Sequence, residues 1–158
     1  MRKQFVHLTD CDDIEMGVRD EVNGQRVYVT PQGNSYPSIT SILGRQPKPG
    51  IEEWKEKVGY QEANKIMKES AALGTMVHSL CEDYLYNEDL QCEDKEAISV
   101  FNRLRFLLGN IDNIYCIEAP LHSDILKVAG TADCIAEYNG VLSVIDFKTS
   151  RKAKREDW

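Results

Sequence analysis

No run in this sequence comes near the roughly 20 apolar residues that a membrane-crossing helix needs. No apolar leader opens it either, since Arg2 and Lys3 are followed by His7, Thr9 and Asp10. A membrane anchor and a secretory signal are therefore not expected, and a soluble, cytoplasmic protein is. Cysteine is sparse and ill-suited to a scaffold: Cys11, Cys81, Cys92, Cys116 and Cys134 are odd in number and contain no C-x-x-C spacing. That disfavours a disulfide framework or a zinc knuckle and predicts reduced thiols. Positive charge is also short, with 19 Lys and Arg against 26 Asp and Glu for a formal net charge of -7. That argues against a general basic coat for nucleic acid, but not against a site that gathers acids and needs cations only where phosphates run, so net charge does not decide the matter. Internal repeats and low-complexity segments are missing as well.

What is present suits one compact domain, 158 residues with 42% hydrophobic content, enough for one core and not comfortably for two. Residues 1–35 read as an N-terminal extension with a hairpin and 36–158 as the core. Charge is uneven along the chain. Asp10, Asp12, Asp13 and Glu15 make an acidic start, and Lys148, Arg151, Lys152, Lys154 and Arg155 make a basic end. Alone, the basic run reads as a solvated tail.

The early chain reads V-R-D-E-V-N-G-Q-R-V-Y-V-T, in which Asn23-Gly24 is a two-residue turn between strand-forming segments. In P-S-I-T-S-I-L-G, Ser38 is placed to cap a short helix ending near Gly44, and Ser38 and Thr40 are also candidate phosphate contacts. Residues 51–70 predict a helix with Trp54, Val58 and Ile66 inward and Gly59 as a weak point. A second helix is predicted over 71–86 on Leu73, Val77, Leu80, Tyr84 and Leu85, with Gly74 allowing close packing. A third over 93–108 carries Ala97, Val100, Phe101, Leu104 and Leu108, stopped by Gly109-Asn110. From Ile111 the texture turns to three β-rich runs that predict an antiparallel meander. The class is mixed α and β, of the α+β type.

The sharpest inference comes from Asn139-Gly140. A two-residue hairpin turn there pairs Tyr138 with Val141, and counting outward sets Asp133 opposite Asp146. Side chains alternate along a strand, so Lys148 falls on the face of Asp146. The apolar neighbours Cys134, Ile135, Ala136, Val144, Ile145 and Phe147 predict a strand covered on both faces, where two adjacent carboxylates call for a positive partner. Lys148 as a structural ion pair is one answer. A divalent cation is the other, because hard ions such as magnesium take carboxylate and carbonyl oxygens and activate water for phosphodiester hydrolysis. Lys148 would then orient or deprotonate that water, or steady the charge at phosphorus.

G-T-A-D at Gly130–Asp133 followed by V-I-D-F-K-T-S at Val144–Ser150 resembles motifs II and III of the PD-(D/E)XK nuclease superfamily. The spacing is similar to that of its RecB-like exonuclease branch, including the mitochondrial genome-maintenance and phage-encoded exonucleases. G-T-M-V-H-S-L-C-E-D-Y-L resembles the upstream helix of that branch, and Y-P-S-I-T-S-I-L a segment ahead of it. The resemblance implies a restriction-endonuclease-like core, a mixed sheet flanked by helices. It implies catalysis by Asp133, Asp146 and Lys148, and Mg2+ or Mn2+ held by His78, Asp133, Asp146 and the Phe147 backbone carbonyl.

Glu82, one turn from His78, and Glu118, in the strand before the hairpin, are candidates for supporting positions around the metal; for Glu82 an exposed helical pair is the plainer alternative. Beside the catalytic lysine, Thr149, Ser150, Arg151 and Lys152 become candidate DNA-phosphate contacts. The implied partner is DNA, single-stranded or with free ends, in repair, recombination or phage DNA processing, and a bacterial or phage-infected cell is the implied setting.

The sequence departs from the branch in its ending. A Q-x-x-x-Y helix and a further strand are expected after motif III, but the sequence given stops at Trp158, so a missing segment or partner protein is expected. The downstream cysteines of relatives with an iron–sulfur cluster are missing, and no cluster is expected. An endonuclease of the same superfamily and a non-catalytic nucleic-acid-binding fragment are the competing functions. A zinc peptidase on His78 and Glu82 fails for want of a second helical histidine.

Overall fold

The computed structural model of the protein describes residues 2–8, 18–22 and 25–149. Among the described residues three strands, four helices and three further strands follow one another, an α+β order with an N-terminal hairpin, helices and then a meander, as the sequence predicts. Two compact units are distinguishable among the described residues, one from residues 2–5, 51–111 and 146–149 and the other from 6–8, 18–22, 25–50 and 112–145. Each is described by itself.

The first unit is helical. Helix α2 (Pro49–Val58) and helix α3 (Tyr60–Leu85) are separated by Gly59 at φ 93°, a left-handed conformation that glycine adopts without steric cost. The sequence places the boundary near residue 70, but α3 runs unbroken for 26 residues. Nothing between Tyr60 and Leu85 is a helix breaker stronger than Gly74, and one glycine costs only about 1 kcal/mol when the turns on both sides pack. Helix α4 (Lys95–Leu108) starts where Asp94 accepts a hydrogen bond from the Ala97 N–H at 2.8 Å, satisfying one of its orphan donors.

Helix α3 buries Ala63, Val77, Leu80, Cys81, Tyr84 and Leu85, and α4 buries Ala97, Phe101 and Leu108. Leu73, Val100 and Leu104, predicted with that core, are only half-buried. Helix α2 buries no residue, and Val58, an expected inward position, is exposed.

The extreme N-terminus, where the sequence offers no motif, closes this core. Phe5 meets Tyr84 edge-on with centroids 5.1 Å apart, and Tyr84 meets Phe101 likewise at 5.6 Å. Asn87, at φ 65° just past the end of α3, holds the Phe5 backbone by accepting from its N–H at 2.8 Å and donating to its carbonyl at 3.0 Å. Lys3 Nζ donates to the carbonyls of Gly109 and Ile111 at 2.8 and 2.7 Å, placing a cation at the carbonyl-rich end of α4.

The second unit is built on two three-stranded sheets. In one, β1 (Val18–Val22), β2 (Gln25–Val29) and β3 (Ser35–Pro37) pair antiparallel in chain order. The register Val22↔Gln25 agrees with the predicted hairpin, and Asn23 and Gly24 themselves lie outside the described residues. The other sheet is the order β4 (Ile111–Ser123), β5 (Val128–Tyr138), β6 (Val141–Ile145). Asn139 and Gly140 turn the β5–β6 hairpin at φ 51° and 76°, and its register runs from Tyr138↔Val141 to Cys134↔Ile145 as counted from the sequence.

Tyr28, Tyr36 and Ala129 form a shared core between these sheets, and Ser38 bridges Ala129 in parallel. The short helix α1 (Ile39–Gly44) rests on Gly130, where an added Cβ would lie 2.9 Å from Ile39 Cγ2. Only a glycine lets α1 come so close. The segment Tyr36–Leu43 and the G-T-A-D strand, remote in sequence, are thus neighbours.

Cys81, Cys92 and Cys134 are free thiols, but Cys116 is disulfide-bonded, which corrects the expectation of reduced thiols throughout. Odd numbers and spacing exclude a regular framework without excluding one isolated bridge. Among the described residues no helix is long and apolar enough to cross a membrane.

Candidate active site

Asp133 lies inside β5, half-buried, immediately before Cys134, whose partner Ile145 ends β6. Asp146 follows Ile145 directly in the chain. The strand ladder stops there, yet exposure still alternates: Asp146 and Lys148 are exposed and Phe147 between them is 5% exposed. The two charged side chains meet, with Lys148 Nζ 2.7 Å from Asp146 Oδ1 and both more than half exposed.

Covering of the hairpin on both faces, expected from its apolar residues, is not found. Val141, Leu142 and Val144 on the edge strand β6 are 65%, 63% and 68% exposed. Burial therefore does not force a counter-ion on Asp146. It also weakens the purely structural reading of its partner, because exposed ion pairs contribute only about 0–1 kcal/mol to stability.

Phe147 sends its ring the opposite way and meets the His78 imidazole edge-on with centroids 5.8 Å apart. His78, on α3, is half-buried, so the helix histidine and the Asp146–Lys148 segment belong to one packed arrangement. Glu82, four residues further along α3, is half-buried. Thr149 is half-buried, and its Oγ1 would lie 3.5 Å from a Cβ at Gly74, so the glycine on α3 leaves room for the chain beyond Lys148.

The remaining candidates lie elsewhere. Glu118 is exposed on β4 at φ 52°, a left-handed conformation that interrupts the strand's alternation, so that Cys116 and Ile117 are both buried before it. Ser38 is 1% exposed and makes no capping bond to α1; its hydroxyl instead hydrogen-bonds with that of Thr40 at 2.7 Å, which corrects the expected cap. Thr40 is exposed. Ser150, Arg151 and Lys152 lie outside the described residues. Within the described residues of either unit, no three His, Cys, Asp or Glu gather closely enough to hold a metal ion.

Two residues to which the sequence assigns no chemistry have side chains with shifted ionisation. Tyr36 donates its hydroxyl hydrogen to Asp124 Oδ1, and that carboxylate, with burial behind it, pushes the phenol above its ordinary range. Burial, followed by the negative charge of neighbouring Asp133, pushes the Cys134 thiol up to about 12. Cys134 therefore stays protonated at neutral pH and is no nucleophile.

The arrangement is that of an α+β chain carrying an exposed carboxylate–lysine pair, with a helix histidine packed on the phenylalanine between them. No family model matches the chain. Over 133 residues it is 30% identical to mitochondrial genome maintenance exonuclease 1 of Mus musculus, the match covering 78% of this chain and 39% of that protein. The Homo sapiens protein of that name is 28% identical over 134 residues, covering 78% and 39%, and that of Xenopus tropicalis 32% over 129 residues, covering 75% and 37%. The matched stretch thus spans less than half of these relatives, and the similarity supports a nuclease relationship for this chain.

Proposed function

We propose that the chain is a Mg2+- or Mn2+-dependent DNA exonuclease of the PD-(D/E)XK type, in the RecB-like branch, with Asp133, Asp146 and Lys148 as its catalytic residues. The observation that carries this reading is the pairing of Lys148 Nζ with Asp146 Oδ1 at 2.7 Å in the open, where it contributes little to stability. Similarity to exonucleases over 78% of the chain supports it independently.

Asp133, Asp146, the Phe147 carbonyl and His78 would hold the cation. Two carboxylates and a carbonyl are the hard donors that Mg2+ and Mn2+ take, and an imidazole suits Mn2+. His78 enters this set on the resemblance of its helix alone, since its imidazole lies against the Phe147 ring, on the face away from Asp146 and Lys148. When bound, the cation supplies Lewis-acid chemistry to the phosphodiester.

The chain's own contribution rests on Lys148. Its ammonium, exposed and already paired with an anion, can exchange that carboxylate for a non-bridging phosphate oxygen and hold the charge that builds there. Alternatively it orients the water whose oxygen bonds to phosphorus as the bond to the leaving sugar oxygen breaks. Asp146 keeps the ammonium in place until substrate arrives.

The test is incubation with end-labelled linear and covalently circular single-stranded DNA in Mg2+ or Mn2+. Degradation of the linear strand alone is the expected result. Cutting of the circle would instead make it an endonuclease, and degradation of neither would leave a binding module.

A further inference from the structure

Three positions that helical periodicity assigns to the core are left half-open in the helical unit, and they face one space. Leu73 of α3 and Val100 and Leu104 of α4 line a cleft of about 440 Å³. Small-molecule sites occupy roughly 300–1,000 Å³ and combine apolar walls with a few polar groups, and this cleft has that composition. Arg103, one residue before Leu104, and the proposed catalytic Lys148 are both on its lining, and both are exposed. Thr149 adds a hydroxyl beside Lys148, and Glu96, one turn before Val100, adds a carboxylate.

The ligand that suits an aliphatic wall flanked by two cations is flat, apolar on its faces and anionic at one end. An unpaired nucleotide has this form, with a base to lie against the leucines and valine and a phosphate to meet Arg103 and Lys148. A base inside a duplex does not, because its faces are covered by its neighbours and must be unstacked before side chains can reach them. Glu96 can accept from an N–H of a base edge, the thymine N3–H among them.

We propose that the α3–α4 cleft is a nucleotide-binding subsite that seats an unpaired base on Leu73, Val100 and Leu104 and directs the adjoining phosphate to Arg103 and Lys148. This rests on the nuclease reading for its DNA ligand, and it makes the cleft the source of a single-strand requirement. Arg103 is then a substrate-binding residue.

Fluorescence anisotropy tests it, using the whole chain in EDTA so that nothing is hydrolysed. The probes are fluorescein-labelled ten-nucleotide oligothymidylate and a ten-unit abasic strand of equal charge. The expected result is about tenfold tighter binding of the oligothymidylate, the size of one seated base, and loss of that advantage when oligoadenylate is annealed to it. Val100→Asn is expected to abolish the difference between the strands while leaving abasic binding unchanged. Arg103→Gln, a change at an exposed position, is expected to weaken both strands alike and to lower the salt slope of binding by about one.

Equal affinity for the two strands, or a ratio unmoved by Val100→Asn, would overturn the subsite even if linear DNA is hydrolysed and the nuclease reading survives. Base-dependent binding without hydrolysis in Mg2+ would support the subsite and remove the nuclease reading. Binding of neither strand would overturn the subsite, and the nuclease reading is decided separately by hydrolysis in Mg2+.

Discussion

The ring of Phe147 meets the imidazole of His78 edge-on, centroids 5.8 Å apart, and so the residue between Asp146 and Lys148 anchors both charged side chains to helix α3. Phe147 is buried while its two neighbours are exposed. Its truncation removes a large buried ring, which costs about 3–5 kcal/mol in a core. Phe147→Ala is expected to lower the midpoint of urea denaturation by that equivalent. Phe147→Leu should lose under about 2 kcal/mol yet still lower nuclease activity, because the ring contact that positions the segment is gone. Wild-type activity in Phe147→Leu would show that the contact serves stability alone.

Gly130 explains one fixed point of the G-T-A-D stretch. A Cβ there would stand 2.9 Å from Ile39 Cγ2, and the β-branched isoleucine has little freedom to move aside. Gly130→Ala is expected to destabilise by about 1–3 kcal/mol. Shortening Ile39, which is 39% exposed, should recover most of the loss. A double-mutant cycle of Gly130→Ala with Ile39→Ala, read by urea denaturation, measures this coupling; additive losses would place the strain elsewhere.

Cys134 gives a pH signature. Its thiol is raised from 9.0 to about 12 by burial and then by Asp133. A raised pKa in the folded state means that the stabilisation is fully present below about 9 and declines as pH rises toward 12, since the unfolded thiol ionises first. Between pH 8 and 10.5 the wild type is expected to lose more stability than Cys134→Val. Parallel losses would contradict the shift. At pH 8 the native chain should expose Cys92 to a thiol reagent and protect Cys81 and Cys134, both fully buried.

Much of this was legible in the residues, and the limits have physical causes. Asn139-Gly140 fixed the hairpin register because a two-residue turn allows only one pairing, and the structure keeps it from Tyr138↔Val141 to Cys134↔Ile145. Gly59, the weak point read from the sequence, is where the helix is interrupted, whereas the boundary expected near residue 70 is not there, because the polar stretch before it continues the same helix. Exposure of Val141, Leu142 and Val144 was invisible because apolar content does not say which strand forms a sheet edge. Phe5 and Asn87 were missed because a terminus that packs through one ring and one amide carries no periodic signal. The half-open positions Leu73, Val100 and Leu104 were read as core because their spacing is that of core residues.

The central claim is that Asp146 and Lys148 perform chemistry, and the most direct measurement is single-turnover hydrolysis of end-labelled linear single-stranded DNA in Mg2+ by Asp146→Asn and Lys148→Met. Both positions are exposed, and circular dichroism and denaturation midpoints are expected to stay within about 1 kcal/mol of wild type. The rate should fall by at least roughly a hundredfold in each variant, the scale lost with an acid–base or electrostatic group. Hydrolysis at the wild-type rate by both variants would contradict the account and leave the pair as a surface salt bridge.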